Sequence, residues 1–235
     1  MHQDFTSYLS HPVFKVIKNY LEENDTYAFV IGGFVRDLLL EKKSKDIDIV
    51  VYGDGLEFAE AIAKILRVKK VSLFKTYGTA HFKYKDIDVE FVSARKESYS
   101  QESRNPKVSP GTIKEDQYRR DFTMNALAID LRPETFGKLV DPFDGVSDID
   151  NRLIKTPQDP SATFNDDPLR MLRAIRFASQ LDFKIDITCL KSIREQSERI
   201  KIISRERITD ELNKIILSPI PSRGFKLLKS TNLLE

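Results

Sequence analysis

Apolar residues change their period near the middle of this chain. From His11 to Glu23 they recur at helical spacing (Val13, Phe14, Val16, Ile17, Tyr20, Leu21), which predicts an amphipathic helix with those side chains inward. Short apolar or alternating runs predict strands at Ala28–Ile31, Asp46–Val51, Val71–Phe74, Thr79–Tyr84 and Val89–Ser93, with a helix at Gly55–Leu66 and a strand-like run at Ala126–Asp130. After about Asp141 the helical period dominates. It predicts helices over Asp167–Leu181, Ile187–Gln196, Arg205–Leu217 and Pro221–Lys229. The pattern gives a mixed α/β domain over 1–141 and a helical domain over 142–235. Between Ser93 and Gln117 neither period holds, and Pro106, Pro110 and Gly111 interrupt a polar stretch, so a long loop is expected there.

The segment Ala28–Val51, AFVIGGFVRDLLLEKKSKDIDIVV, carries the first chemistry. A buried strand ends at Gly32-Gly33, where the absence of Cβ lets the backbone turn and come close to a ligand. Helical character from Val35 to Leu40 follows, and unpaired N–H groups at a helix start attract anions. Arg36 adds a positive charge there. In the next strand Asp46 and Asp48 are two apart, so both carboxylates face one side and Ile47 and Ile49 the other. Two neighbouring carboxylates repel unless a cation lies between them, and oxygen-only ligands suit Mg²⁺, which also bridges substrate phosphates. Each feature alone has an ordinary reading, as a common turn or a solvated strand face. Their order within one short unit points to an enzyme handling a nucleoside triphosphate.

Composition narrows the class further. The 235 residues carry a net charge of +2, with 40% hydrophobic residues, so a core is affordable and no bulk polycation effect operates. A single cysteine, Cys189, excludes an internal disulfide framework and a cysteine-rich zinc site and fits a reducing cytoplasm. No apolar run reaches membrane-spanning length and no signal peptide is visible, so no membrane role is expected. His2, His11 and His81 have no metal-ligand spacing and read as structural or surface residues.

Three further segments join the first: Arg119–Asp130 (RRDFTMNALAID), Asp141–Thr156 (DPFDGVSDIDNRLIKT) and Asp166–Asp186 (DDPLRMLRAIRFASQLDFKID). Together, in this order, they resemble the class II tRNA CCA-adding enzymes and bacterial poly(A) polymerases of the nucleotidyltransferase superfamily. The resemblance implies an α/β nucleotidyltransferase head, a mixed β-sheet with flanking helices, followed by an all-α neck. It implies attack of a tRNA 3′-hydroxyl on the α-phosphate of CTP or ATP with release of pyrophosphate, at a two-metal Mg²⁺ site held by Asp46 and Asp48. Glu90, which shares a strand face with Asp86 and Asp88, is the third carboxylate implied, although a salt-bridged strand residue would look the same. Asp86 and Asp88 read as solvated.

The same resemblance assigns Gly32, Gly33, Arg36, Arg120, Asp121 and Asn125 to the ribose and phosphate side of a nucleotide pocket. For Asp121 a turn cap is the plain alternative. Asp167 and Arg170 are three apart, on one helix face, and supply an acceptor beside a donor. That edge suits cytosine and adenine, whose amino groups meet the carboxylate, and rejects uracil and guanine. The resemblance implies that this pair replaces a nucleic-acid template, with Arg173 and Arg176 toward phosphates. An exposed helix with local salt bridges is the alternative. The first carboxylate before this helix is Asp166 where the family has Glu. Arg95 and Arg104, in the expected loop, read as triphosphate or RNA contacts or as solvated charges. The last apolar residues, Leu227, Leu228, Leu233 and Leu234, read as an interrupted helical pair. The resemblance implies further helical body and tail regions that hold the tRNA, so either a truncated chain or an unusually short protein is expected. A CC-adding or A-adding enzyme, a poly(A) polymerase and a non-catalytic RNA-binding module are the competing functions.

Overall fold

The computed structural model describes residues 4–75, 78–100 and 103–234, with backbone only over 97–100 and 103–107, so His2 and the Arg104 side chain lie outside the described residues. Helix α1 (Pro12–Glu23) starts where His11 Nδ1 accepts from the Val13 amide and proline occupies the first turn, and it buries Val13, Phe14, Ile17 and Leu21. Strand β1 (Tyr27–Ile31), α2 (Gly33–Leu39), β2 (Asp46–Tyr52), α3 (Gly55–Ile65), β3 (Ser72–Phe74), β4 (Thr79–Tyr84) and β5 (Ile87–Ser93) follow. Helix α2 begins two residues earlier than its apolar spacing suggests, because Gly32 takes φ 81° and ends the strand abruptly.

The stretch expected to be one long loop is instead ordered into β6 (Arg95–Ser100), β7 (Ser103–Pro110) and α4 (Ile113–Tyr118). The first two pair as a separate two-stranded ribbon. Its polar residues carry no alternation because no face of such a ribbon needs to be apolar throughout. Short elements then lead onward: β8 (Ala128–Asp130), β9 (Leu139–Val140), α5 (Gly145–Asp150), β10 (Leu153–Ile154), α6 (Pro160–Asp166), α7 (Leu169–Leu181), β11 (Lys184–Ile185), α8 (Ile187–Gln196), α9 (Arg205–Ile216) and α10 (Pro221–Ser230).

Seven strands form one mixed sheet in the order β3-β4-β5-β2-β1-β8-β9. Strand β2 pairs parallel with β5 and antiparallel with β1. The fold is therefore a mixed sheet with helices in the N-terminal part and helices thereafter. By contacts the chain forms two compact units. One holds Met1–Lys96, Val108–Tyr118 and Asn125–Val146; the other holds Glu97–Lys107, Arg119–Met124 and Ser147–Glu235. Arg119–Met124 joins the helical unit because its groups are tied there: the Thr123 amide donates to the Lys155 carbonyl at 2.8 Å, and Thr123 Oγ1 donates to Asp148 Oδ2 at 2.6 Å. In that unit Gly224 of α10 lets α10 lie against α7 and α9. A Cβ there would come within 2.4 Å of the Ile215 side chain and 2.5 Å of Ser179 Oγ.

Candidate active site

The sheet register assembles the carboxylates. Asp46 and Asp48 share one face of β2, as their spacing requires, and Asp48 stands directly opposite Glu90 across the parallel β2–β5 pair. Neighbouring strands lie about 4.8 Å apart, so these two side chains approach each other closely. Burial, and after it the charge of Asp48, pushes the Glu90 carboxyl above the ordinary glutamate range; His81 and Arg95 oppose the shift. Along the same face of β2 the next residue is the buried Val50, which packs with Phe29, Ile31, Ala94 and Ala128 beneath Ile113 of α4. The acids thus stand where a covered apolar face gives way to an open polar one.

Asp88, read from the sequence as solvated, is instead engaged. It lies opposite Lys83, and its Oδ1 is 3.0 Å from His81 Nε2. Its other oxygen is 3.9 Å from Lys83 Nζ. The reason is the antiparallel β4–β5 register, which sets His81 beside Glu90 and one diagonal step from Asp88.

The glycine turn sits next to these acids. Gly32 donates its amide to the Leu127 carbonyl at 3.1 Å, and Ile31, one residue before it, pairs with Asp48. Arg36 leaves the last turn of α2 and is held in place: its Nε and Nη2 donate to Asp37 Oδ1 at 2.9 and 2.8 Å, and its Nη1 donates to Asn125 Oδ1 at 2.7 Å. The structure therefore joins Arg36 and Asn125, two candidates 89 positions apart, and adds Asp37, which sequence reasoning passed over although it is Arg36's neighbour.

In the helical unit the arginines of α7 are engaged with protein groups. Arg173 forms an ion pair with Asp121, Nη2 to Oδ2 at 2.5 Å and Nε to Oδ2 at 2.7 Å, and Asp121 Oδ1 accepts from the Phe122 amide. The Asp121 charge raises the Arg173 pKa against the cost of burial. Arg176 pairs with Glu211 of α9 at 2.6 Å and stacks over Phe177 at 4.1 Å; burial lowers its pKa, and Glu211 opposes that. Glu211 is 3% exposed, a charged residue on the inner face of an amphipathic helix, and that placement is the sequence signal that could have found it.

Asp167 caps α7 through Oδ1, which accepts the Leu169 amide at 3.1 Å. Arg170 is buried, and its Nη2 donates to the Arg119 carbonyl at 2.8 Å and its Nη1 to the Thr163 carbonyl at 3.4 Å. The two do not pair with each other. Arg120 lies in the same segment as Asp121, within the helical unit.

The acids suit a hard divalent cation. Oxygen donors on one strand face, with two carboxylates forced together at Asp48 and Glu90, are relieved by positive charge. Among the described residues no three His, Cys, Asp or Glu side chains form a complete ligand cluster. Mg²⁺ fits a partial set, because it keeps waters and takes phosphate oxygens.

Residues 28–155 match the protein family described as the poly(A) polymerase head domain, and residues 182–235 match the family described as the probable RNA and SrmB-binding site of polymerase A. An A-adding tRNA nucleotidyltransferase of Aquifex aeolicus is 40% identical over 187 residues, which are 79% of this chain and 22% of that protein. A CCA-adding enzyme of Geobacillus sp. is 39% identical over 215 residues, 91% of this chain and 51% of the relative. Among solved structures, a CCA-adding enzyme in an apo form superposes with a TM-score of 0.86 at 34% identity, over 100% of this chain and 57% of that one. A tRNA nucleotidyltransferase complexed with a primer tRNA and an incoming ATP analog superposes with a TM-score of 0.82 at 33% identity, over 93% of this chain and 61% of that one. The chain spans about half the length of the CCA-adding relatives it matches, and less of the A-adding one.

Proposed function

The chain belongs to the class II CCA-adding enzyme and poly(A) polymerase family, and we propose that it is the head and neck portion of a tRNA nucleotidyltransferase that adds CMP and AMP to tRNA 3′ ends. The observation that carries this reading is the register that sets Glu90 against Asp48, on the face that Asp46 shares and beside the Gly32-Gly33 turn. When Mg²⁺ is bound there, it supplies charge to the reacting phosphate and the attacking oxygen. Asp46, Asp48 and Glu90 are the residues that would hold it. Arg36, fixed by Asp37 and Asn125, orients phosphate oxygens without losing side-chain freedom on binding.

Base choice falls to Asp167 and Arg170 in this reading. Asp167 keeps Oδ2 as an acceptor after capping the helix with Oδ1, and Arg170 is a buried donor one turn on. Reading a base requires Arg170 to exchange one carbonyl bond for a base nitrogen or oxygen. Arg120 and Asp121 flank the same segment, with Arg173 holding Asp121 rigid. Arg176, tied to Glu211, packs the neck.

The test offers the chain tRNA substrates that end at the discriminator base, after one cytidine and after two, with CTP and ATP given separately. Addition of both cytidines and the final adenosine supports CCA addition. Adenosine on the third substrate alone is A-addition, the reading favoured by the A-adding likeness, and a long adenosine tail is poly(A) polymerase activity. No addition to any substrate, with either nucleotide and Mg²⁺, leaves an RNA-binding module.

A further inference from the structure

The outer edge of the head's sheet carries a groove of about 440 Å³ between the end of α3 and strand β4. Arg67, Lys69, Lys70 and Lys83 line it, with Ser72 and His81, and no acidic residue does. All four cations are exposed. Among the described residues Arg67, Lys69 and Lys70 form no ion pair, in a chain with nearly as many acids as bases. Lys83 has only the long contact to Asp88.

The groove straddles the edge of the sheet: Ser72, His81 and Lys83 lie on the face of the carboxylates, whereas Phe82 and Tyr84 lie on the other face, against which α3 packs. His81 pairs with Glu90 across β4–β5 and Ser72 pairs with His81 across β3–β4, while Glu90 pairs with Asp48. Directly opposed residues share a face, so Ser72, His81, Glu90 and Asp48 form one row across four strands. At about 4.8 Å per strand the row places the basic groove some 10–15 Å from Asp48.

Arg67 adds a second observation. It lies two residues past the end of α3, after Leu66, and takes φ 55°, with the Val68 amide bonded to the Ala63 carbonyl at 2.8 Å. This is the helix-ending turn that glycine fills best, since a Cβ disfavours left-handed backbone. A cation also suits a helix C-terminus, but Lys64 already stands in the last turn. Glu41, Lys85, Asp144, Arg152, Asp182 and Asn232 also take positive φ, so the backbone alone does not single Arg67 out; its charge counts because it stands beside Lys69 and Lys70 at the groove.

We propose that this groove holds backbone phosphates of the RNA strand being extended, two to three nucleotides before its 3′ end; this rests on the nucleotidyltransferase reading above. Exposed lysines on flexible stems are point charges suited to tracking a backbone, whereas a fixed triphosphate is better matched by rigid forks and backbone amides.

The test uses the full chain, a tRNA lacking its terminal CCA and no nucleotide, and measures affinity from 50 to 200 mM salt. The double variant Arg67→Gly with Lys70→Ala is expected to bind about tenfold more weakly, with the slope of log K against log salt reduced by about 1.5. Lys15→Glu, an equal charge change on the exposed face of α1, is expected to cost less than twofold. Arg67→Gly alone is expected to weaken RNA binding while raising the melting temperature, a combination that a structural role for Arg67 would not give. Wild-type affinity and slope in the double variant overturn the proposal. So does a loss of inorganic pyrophosphate binding with RNA binding intact, which assigns the groove to the leaving group. Because no nucleotide is present, a chain that adds nothing to RNA can still pass this test, and one that adds nucleotides can still fail it.

Discussion

At the scale of single residues the proposed site rests on Asp46, Asp48 and Glu90, of which the fold sets Asp48 and Glu90 against each other. Asp48 and Glu90 are opposed in register, and burial and the Asp48 charge together raise the Glu90 pKa. Such an arrangement costs stability unless a cation is taken up, which is the basis of the metal reading proposed above. Asp48→Ala or Asp46→Ala is therefore expected to abolish nucleotide addition while the circular dichroism and melting of the metal-free chain stay at or above wild type. Glu90→Gln keeps the shape, removes the repulsion and is expected to cut the addition rate by on the order of a hundredfold. An Asp48→Ala chain that adds nucleotides near the wild-type rate with Mg²⁺ would remove the metal assignment. The pairing of Asp46 with Asp48 was legible from a two-residue spacing. Glu90's place was not, because register between distant strands is set by the sheet and not by local pattern. For the same reason Arg36–Asn125 could not be read as a contact, although Asp37 beside Arg36 could.

At the scale of elements, amphipathic helices and apolar strands were visible, and pieces without a period were not. Helices α1, α3, α7, α8, α9 and α10 each carry an apolar stripe, and each falls within a residue or two of its sequence reading. Helix α6, PSATFND, has too few apolar residues to show a period, and the β6–β7 ribbon shows no alternation at all. Helix α7 shows what spacing leaves out. Its arginine stripe reads as a row of phosphate contacts, and the spacing does not give the protein partners that Arg173 and Arg176 meet, Asp121 and Glu211 inside the helical unit. Asp121 is 7% exposed, so removing its partner leaves a buried carboxylate without a counter-charge. Since Arg173 itself is one-third exposed, Arg173→Ala is expected to destabilise the chain by about 2–3 kcal/mol, seen as a lowered denaturant midpoint. A double-mutant cycle with Asp121→Ala should recover most of that loss as coupling. Unchanged stability with a raised KM for CTP and ATP would instead place Arg173 on the nucleotide.

At the scale of the whole molecule the chain has a nucleotidyltransferase family's head and neck but about half the length of the CCA-adding relatives, and its net charge of +2 gives little long-range attraction for RNA. On the proposed reading, affinity for tRNA comes from a few local phosphate contacts, whereas nucleotide binding falls to the candidate residues within the chain. The expected outcome is a division between the two ligands. The chain should bind ATP or CTP with Mg²⁺ nearly independently of salt. It should bind tRNA weakly, with about three phosphate contacts giving a slope near −3 and a loss of roughly fortyfold between 50 and 200 mM salt. Titrating both ligands across that range separates the terms. Tight tRNA binding that survives high salt would mean that this portion already holds a base-specific or shape-specific RNA surface. The remaining length of the relatives would then add something other than affinity. A shallow slope with weak binding would show that contacts other than phosphate dominate, which would count against the role proposed for the basic groove beside β4.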